Sequence, residues 1–315
     1  MDVLSDILGA LRLQGVLYFS TEFRRPWGLR VPELEGVARF HLVMRGSTWL
    51  RVIGTDQPIH LESGDLVLVP HGAEHVLADT PDTPCRTVDE VVERAGFTGS
   101  GTLVYGGDDE GSCTRLVCGH FAFDEDLDHP LLTQLPPALV VRWEDAVQGS
   151  PLEDVFRFIL REVQEGRPGH EAVTRRLSEV LFVQAVRFWA DAESDEHAFL
   201  AAVGDRHLGA ALSALHADPA AGWTVDALAR RAAMSRTAFA ERFRDLLGET
   251  PHRYLTRWRM QHARRLLAES ALPIERVALR TGYGSAASFS RVFKKETGTT
   301  PGHFRRTARE TTDPG

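Results

Sequence analysis

Six residues of this chain recur at a fixed offset of 50 positions, and a seventh position stays aromatic. Ser235, Phe239, Phe243, Gly248, Thr250, Pro251 and Tyr254 return as Ser285, Phe289, Phe293, Gly298, Thr300, Pro301 and Phe304. A constant offset over such different residue types marks a duplicated supersecondary unit. Each copy reads as a helix of small residues, a tight turn, a capping serine and a second helix with aromatics on one face. This is the pattern of a helix-turn-helix, whose second helix enters the major groove of DNA.

Charge divides the chain in the same place. From Gly222 to Glu310 there are 18 Lys+Arg against 8 Asp+Glu, a local charge of +10 in a chain of formal charge −8. The remainder carries −18. A basic module suited to phosphate contact is therefore joined to an acidic one, which like charge keeps off the duplex. The 315 residues suffice for two or three domains, with apolar content of 43% for their cores. No stretch reaches the roughly 20 apolar residues of a membrane span, and the N-terminus lacks a basic-then-apolar signal. A cytoplasmic protein without a membrane partner is expected. Its three cysteines, Cys85, Cys113 and Cys118, are too few for a disulfide scaffold.

The expected fold class is α+β and multidomain. Residues 1–135 read as a β-barrel or jelly roll, with strands at Arg39–Met44, Thr48–Ile53, Gln57–Leu61, Asp65–Pro70, Thr102–Tyr105 and Arg115–Phe123 separated by turn residues. Pro81–Gly101 reads as a loop with one helical turn. Residues 136–196 read as a helical linker or dimerisation segment, because Pro151–Glu165 and Glu171–Ala190 carry apolar residues at helical period around an Arg167-Pro168-Gly169 break. Ala192–Glu196 fits a linker, and residues 203–310 form an all-α unit containing both helix-turn-helix motifs.

In the first motif Thr224 caps a helix whose Val225, Leu228, Ala229 and Ala232 form the packing face, and Ser235 caps the next. Phe239 and Phe243 face the core, which leaves Arg236, Thr237, Ala240, Glu241 and Arg244 toward DNA. In the second, Gly282-Tyr283-Gly284 forms the turn and Ser285 caps a helix that exposes Ala286, Ala287, Ser288, Ser290, Arg291 and Lys294, with Lys295 beside them. Pro251 and Pro301 suit the first turns of the helices that follow, and His252–Ser270 reads as the connecting helix that sets the spacing between motifs.

The run from Leu279 to Lys295, with Gly298-Thr299-Thr300-Pro301, resembles the signature of AraC/XylS-type transcriptional regulators over about the last hundred residues. The resemblance implies two recognition helices in successive major grooves of double-stranded DNA, roughly 34 Å apart, and RNA polymerase as a partner. It places Thr237, Ala240 and Glu241, then Ala286, Ala287, Ser288, Ser290 and Arg291, at the bases. Several of these are small, so Arg291 is the best candidate for bidentate contact with guanine, and Glu241 could accept from a cytosine amino group.

Gly64-Asp65-Leu66-Val67-Leu68-Val69-Pro70-His71-Gly72-Ala73-Glu74-His75 is similar to the second motif of cupins, a sensor domain common in this family. Metal-binding cupins pair that histidine with a His-x-His and a glutamate. Here His41 is present but Val43 holds the second position, and no glutamate is clear. His120 and Cys118 share one strand face. Two readings stay open: zinc held by His41, His75 and Cys118 or His120, or polar residues that line an effector cavity. The Leu116-Val117-Cys118-Gly119-His120 variant also resembles a subgroup that includes a reactive-chlorine-responsive activator. By that likeness Cys118, aided by Arg115 and His120 and resolved by Cys113, would sense an oxidant. Small-molecule sensing is preferred to the redox and metal readings, and a cupin-type metalloenzyme comes last. The chain shows no nucleophile elbow, phosphate-cradling loop or paired-cysteine motif. A homodimer is expected from the resemblance and the amphipathic helices.

Overall fold

The computed structural model describes residues 3–10, 14–99, 101–107, 113–123, 130–144, 151–192, 202–203 and 205–312. Residues 193–196 of the expected linker lie outside them. The chain divides into two compact units: Arg12–Glu193, and a second built from Met1–Leu11 together with Ser194–Gly315.

The first unit is a barrel of two sheets. Strands β1 (Gln14–Arg24), β3 (Val37–Arg45), β6 (Leu66–Val69), β9 (Thr102–Gly106), β10 (Cys113–Ala122) and β11 (Leu139–Val141) form a six-stranded sheet in the order β11-β6-β3-β10-β1-β9. Strands β2 (Gly28–Val31), β4 (Ser47–Val52), β5 (Ile59–Glu62), β7 (His75–Ala78) and β8 (Arg86–Thr87) form the other, ordered β5-β4-β7-β2-β8. The expected strands are all present. The sheet also takes in β11, inside the segment expected to be helical, because Leu139, Val140 and Val141 pair antiparallel with Leu68, Val67 and Leu66. Between the sheets pack Phe23, Trp27, Leu50, Val67, Leu77, Leu116 and Cys118. Alternation places Val43, His41 and Arg39 of β3 on one face, with Phe40 and Leu42 on the other.

Pro81–Gly101 holds more helix than expected. Helix α2 (Val88–Ala95) opens with a capping box in which Thr87 and Glu90 satisfy each other's backbone N–H groups. A short helix α3 (Pro130–Thr133) follows β10. Helices α4 (Pro151–Glu165) and α5 (His170–Ala192) match the expected spans and belong to the barrel's compact unit. Phe182 of α5 lies 5.1 Å from Phe121 on the outer face of β10. Gly119 sits in that strand because a Cβ there would meet the Phe40 ring at 2.5 Å.

The second unit contains α6 (Leu208–Ala217), α7 (Val225–Arg231), α8 (Arg236–Leu247), α9 (Pro251–Glu269), α10 (Ile274–Arg280), α11 (Ala286–Thr297) and α12 (Pro301–Thr312). Helix α1 (Val3–Ala10) joins it, although residues 1–135 read as a single sensor module. Val3 and Ile7 are buried one turn apart, on a helix that packs against α6 and α9.

Candidate nucleic-acid interface and sensor site

Both motifs are built with the same local geometry. The Ser235 hydroxyl accepts from the Ala238 N–H at 3.2 Å, and the Ser285 hydroxyl from the Ser288 N–H at 3.2 Å. Phe239 and Phe243 have ring centroids 5.5 Å apart, as do Phe289 and Phe293. Phe243 meets Tyr254 edge-on at 5.7 Å, and Phe293 meets Phe304 edge-on at 5.7 Å. Gly248 and Gly298 end their helices at φ +73° and +72°, left-handed angles that favour glycine. Thr250 and Thr300 then cap α9 and α12. The spacing of the aromatics and caps thus encodes one scaffold twice.

The exposed faces differ. On α8, Arg236, Thr237, Glu241 and Arg244 are exposed and Ala240 is half-buried. Arg236 lies 3.7 Å from Asp226. On α11, Ala287, Arg291, Lys294 and Lys295 are exposed, while Ala286, Ser288 and Ser290 are half-buried. Ser285 is exposed, but its hydroxyl and that of Ser288 engage each other at 3.1 Å, and Ser288 also donates to the Ser285 carbonyl. These two serines are committed to the cap. Sequence reasoning did not identify Asp205 and Arg242, whose ion pair ties the segment before α6 to α8. It also missed His216, which shares a 2.7 Å hydrogen bond with the Tyr254 hydroxyl. Burial lowers the pKa of His216 to about 3. Phe304 has no hydroxyl, so only the first motif carries this anchor.

In the barrel, three of the expected residues come together. The Nδ1 of His41 is 3.1 Å from the Cys118 Sγ, and its Nε2 is 2.8 Å from the Nε2 of His75. The Nδ1 of His75 is 2.8 Å from the Ala73 carbonyl oxygen. Only one proton arrangement satisfies this chain with all three groups neutral. A carbonyl only accepts, so His75 donates from Nδ1 and its Nε2 accepts. His41 must then donate from Nε2, which leaves its Nδ1 to accept the Cys118 S–H. Burial favours these neutral forms: it pushes the Cys118 thiol up to about 12 and lowers His75 to about 4. His41 is held well below the usual histidine range by burial, then by His75 and Arg39.

This geometry corrects three expectations. First, the donors do not converge on the metal that the cupin resemblance implies. An ion between His41 and Cys118 lies on the Nδ1 side of the ring, and one between His41 and His75 lies on the Nε2 side. No single ion reaches all three, and among the described residues no group of three such side chains is placed to hold one. Val43, where a second histidine would stand, is buried in the apolar core. Second, Cys118 is a thiol that burial pushes up to about 12 rather than one held as thiolate. Arg115 points to the opposite strand face and pairs with Glu22 at 2.7 Å. Third, Cys113 cannot resolve a Cys118 sulfenic acid within the strand. Five residues of strand span roughly 16 Å, and a disulfide needs Cα atoms within about 7 Å. His120 lies on the Cys118 face, half-buried and paired in register with Arg39. Burial lowers its pKa.

A sheet barrel with a polar buried line, joined to duplicated helix-turn-helix motifs on a basic unit, defines a class of DNA-reading regulator. Comparison with known proteins agrees. Residues 2–191 match a family model described as cupin, and residues 228–307 match one described as a helix-turn-helix domain. A putative AraC-like transcription regulator of Streptomyces lividans is 32% identical over 97% of this chain and 98% of its own. The RCS-specific HTH-type transcriptional activator RclR of Escherichia coli (strain K12) is 29% identical over 98% of this chain and 99% of its own. Among solved structures, the DNA-binding domain of AdpA in complex with a target DNA is similar at 31% identity, over 35% of this chain and 100% of that one, with a TM-score of 0.34. The chain belongs to the AraC-type family of DNA-binding transcriptional regulators, with an N-terminal cupin domain ahead of the helix-turn-helix unit.

Proposed function

We propose that this regulator reads an operator with two unlike recognition helices and adjusts that binding when the barrel takes up a small-molecule effector. The observation that carries the reading is the contrast between a scaffold duplicated to a tenth of an ångström in its ring spacings and exposed faces that are not duplicated. Glu241 on α8 stands where α11 has Arg291. Two such helices suit two different half-sites. Arg291 is the candidate base reader, as a bidentate donor to guanine, while Lys294, Lys295, Arg236 and Arg244 supply phosphate contact. Thr237, Ala240, Ala286, Ala287 and Ser290 complete the base-facing surface.

The effector reading rests on the barrel interior, where His41, His75 and Cys118 form a proton-ordered line with Arg39 and His120 beyond it. An oxidant is the alternative effector, but burial pushes the Cys118 thiol up to about 12, which leaves little thiolate to attack one. The protein is proposed to act in the cytoplasm as a homodimer that contacts RNA polymerase. Among the described residues no helix is long and apolar enough to cross a membrane. The test is operator selection from a random DNA pool by the purified full chain, repeated with candidate metabolites and with hypochlorite. A selected site with two dissimilar halves supports the reading. A site of two identical halves for one chain opposes it.

A further inference from the structure

We infer that Asp205 is a positioning residue for α8, acting through Arg242, and that it sets the base reading of one half-site and not the other. The inference rests on the two-half-site reading above and names what holds one of the two helices. The Asp205 carboxylate is only 9% exposed and makes two kinds of contact at once. Its Oδ1 accepts the N–H groups of His207 and Leu208 at 2.8 Å each, which closes the turn that opens α6. Its Oδ2 accepts from Nε and Nη2 of Arg242 at 3.1 and 2.5 Å. Two charge-assisted bonds from one guanidinium edge fix an angle as well as a distance. The carboxylate is held in turn by its surroundings. Ala202, just before it, is fully buried, and a Cβ at Gly209 would come 2.5 Å from the Val203 carbonyl oxygen, so the glycine lets the incoming chain lie close. The His207 Nδ1 meets the Ala232 carbonyl oxygen at 2.8 Å, where α7 turns into α8. At the far end of α6, His216 bonds the Tyr254 hydroxyl and lies 4.0 Å, ring to ring, from Trp258.

Arg242 stands one residue from Glu241, about 100° around α8, so it flanks the base-facing surface while Phe239 and Phe243 are buried behind it. A helix held only by its aromatics can still rock about its axis. A rotation of roughly 15° at a radius of about 5–6 Å moves a side chain about 1.5 Å, and hydrogen bonds to base edges do not survive such a shift. The Asp205 fork removes that freedom. The second motif lacks the same chemistry. Fifty positions on, Arg242 is replaced by Val292 and Tyr254 by Phe304. A valine cannot pair with a carboxylate, and a phenylalanine offers no hydroxyl to an imidazole. The contacts that tie α6 to the first copy are therefore particular to α8, and α11 keeps its aromatic core without this brace.

The experiment is competition binding of the full chain to the duplex selected from the random pool, against single-base variants in each half, with circular dichroism to verify folding. The half that α11 reads is the one where Arg291→Ala relaxes base choice. Asp205→Asn keeps an acceptor for the α6 turn but loses the charge, and is expected to lower discrimination in the other half by about three- to tenfold. In the α11 half its effect should stay under about twofold. Arg242→Gln, at an exposed position, should do the same, and it decides the matter if Asp205→Asn does not fold. The double variant should match the single ones to within about twofold, because all three remove one contact. Equal loss in both halves makes the pair a general brace and overturns the inference, as does unchanged discrimination in a folded variant. If Asp205→Asn tightens and Arg242→Gln weakens binding to every sequence, Arg242 is a phosphate contact and the inference falls. A selected duplex with two identical halves removes the two-half-site reading and this inference with it.

Discussion

His75 fixes the state of two other residues through one backbone contact. Because its Nδ1 donates to the Ala73 carbonyl, its Nε2 can only accept while it is neutral, and that orients the proton of His41 and, through it, the Cys118 thiol. The arrangement predicts acid sensitivity with a definite sign. Unfolded His75 takes up a proton as pH falls through about 6.5, whereas folded His75 waits until about 4. The unfolded chain binds more protons in that window, so stability is fully present above about 6.5 and declines toward 4. A shift of this size corresponds to about 3 kcal/mol. Denaturant unfolding followed by tryptophan fluorescence at pH 7.5, 6 and 4.5 checks this. Equal midpoints at all three would refute it, and His75→Gln should flatten part of the slope. At the other site Arg291→Ala is expected to cost about 1–3 kcal/mol of specific binding and to relax base choice at one position. Competition binding against a panel of single-base operator variants separates that outcome from uniform loss, which would assign Arg291 to phosphate.

Among the elements, the caps of α8 and α11 are matched in donor and distance. Removing the hydroxyl leaves one N–H without its acceptor. Ser235→Ala and Ser285→Ala should each destabilise the helical unit by about 1 kcal/mol, with Ser285→Ala the larger because Ser288 loses a partner as well. Thermal unfolding by far-UV circular dichroism reads both, and a cap variant without effect would count against the shared scaffold. These elements were legible in the sequence because their signals are local: a cap, a periodic aromatic face and a glycine at the helix end. The α4 and α5 spans were legible for the same reason. Strands β1, β2 and β7 were not. Leu66–Val69 stood out between turn residues, but β7 is four buried residues whose strand character comes from pairing with β2 and β4. The parallel pairing of β1 with β9 joins residues some eighty positions apart, which no local pattern encodes. The Thr87 and Glu90 box ahead of α2 was readable and shows that one missed helix had a signal. The convergence of His41, His75 and Cys118 was anticipated as a set, but its order along a line depends on ring orientations that spacing does not carry.

For the molecule as a whole, the sign of the charge separates two kinds of contact. The segment from Gly222 to Glu310, at +10, attracts any duplex by releasing counterions, and the remainder at −18 opposes nonspecific association of the rest of the chain. Affinity for the operator should therefore fall steeply with salt, while the ratio of specific to nonspecific binding depends on base contacts and changes far less. Lys294 and Arg291 lie three residues apart on the exposed part of α11, so one helix offers a test of both. Lys294→Gln removes a cation suited to phosphate. It should reduce the slope of log K against log salt by about 0.9 and weaken operator and random DNA alike. Arg291→Ala should leave the nonspecific slope nearly unchanged and lower the specificity ratio by about tenfold or more. Fluorescence anisotropy of the full chain on labelled operator and on scrambled DNA, from about 50 to 300 mM salt, measures slope and ratio together. If Lys294→Gln changes the ratio rather than the slope, the phosphate and base-reading roles on α11 are reversed, and Lys294 becomes the residue that distinguishes the second half-site.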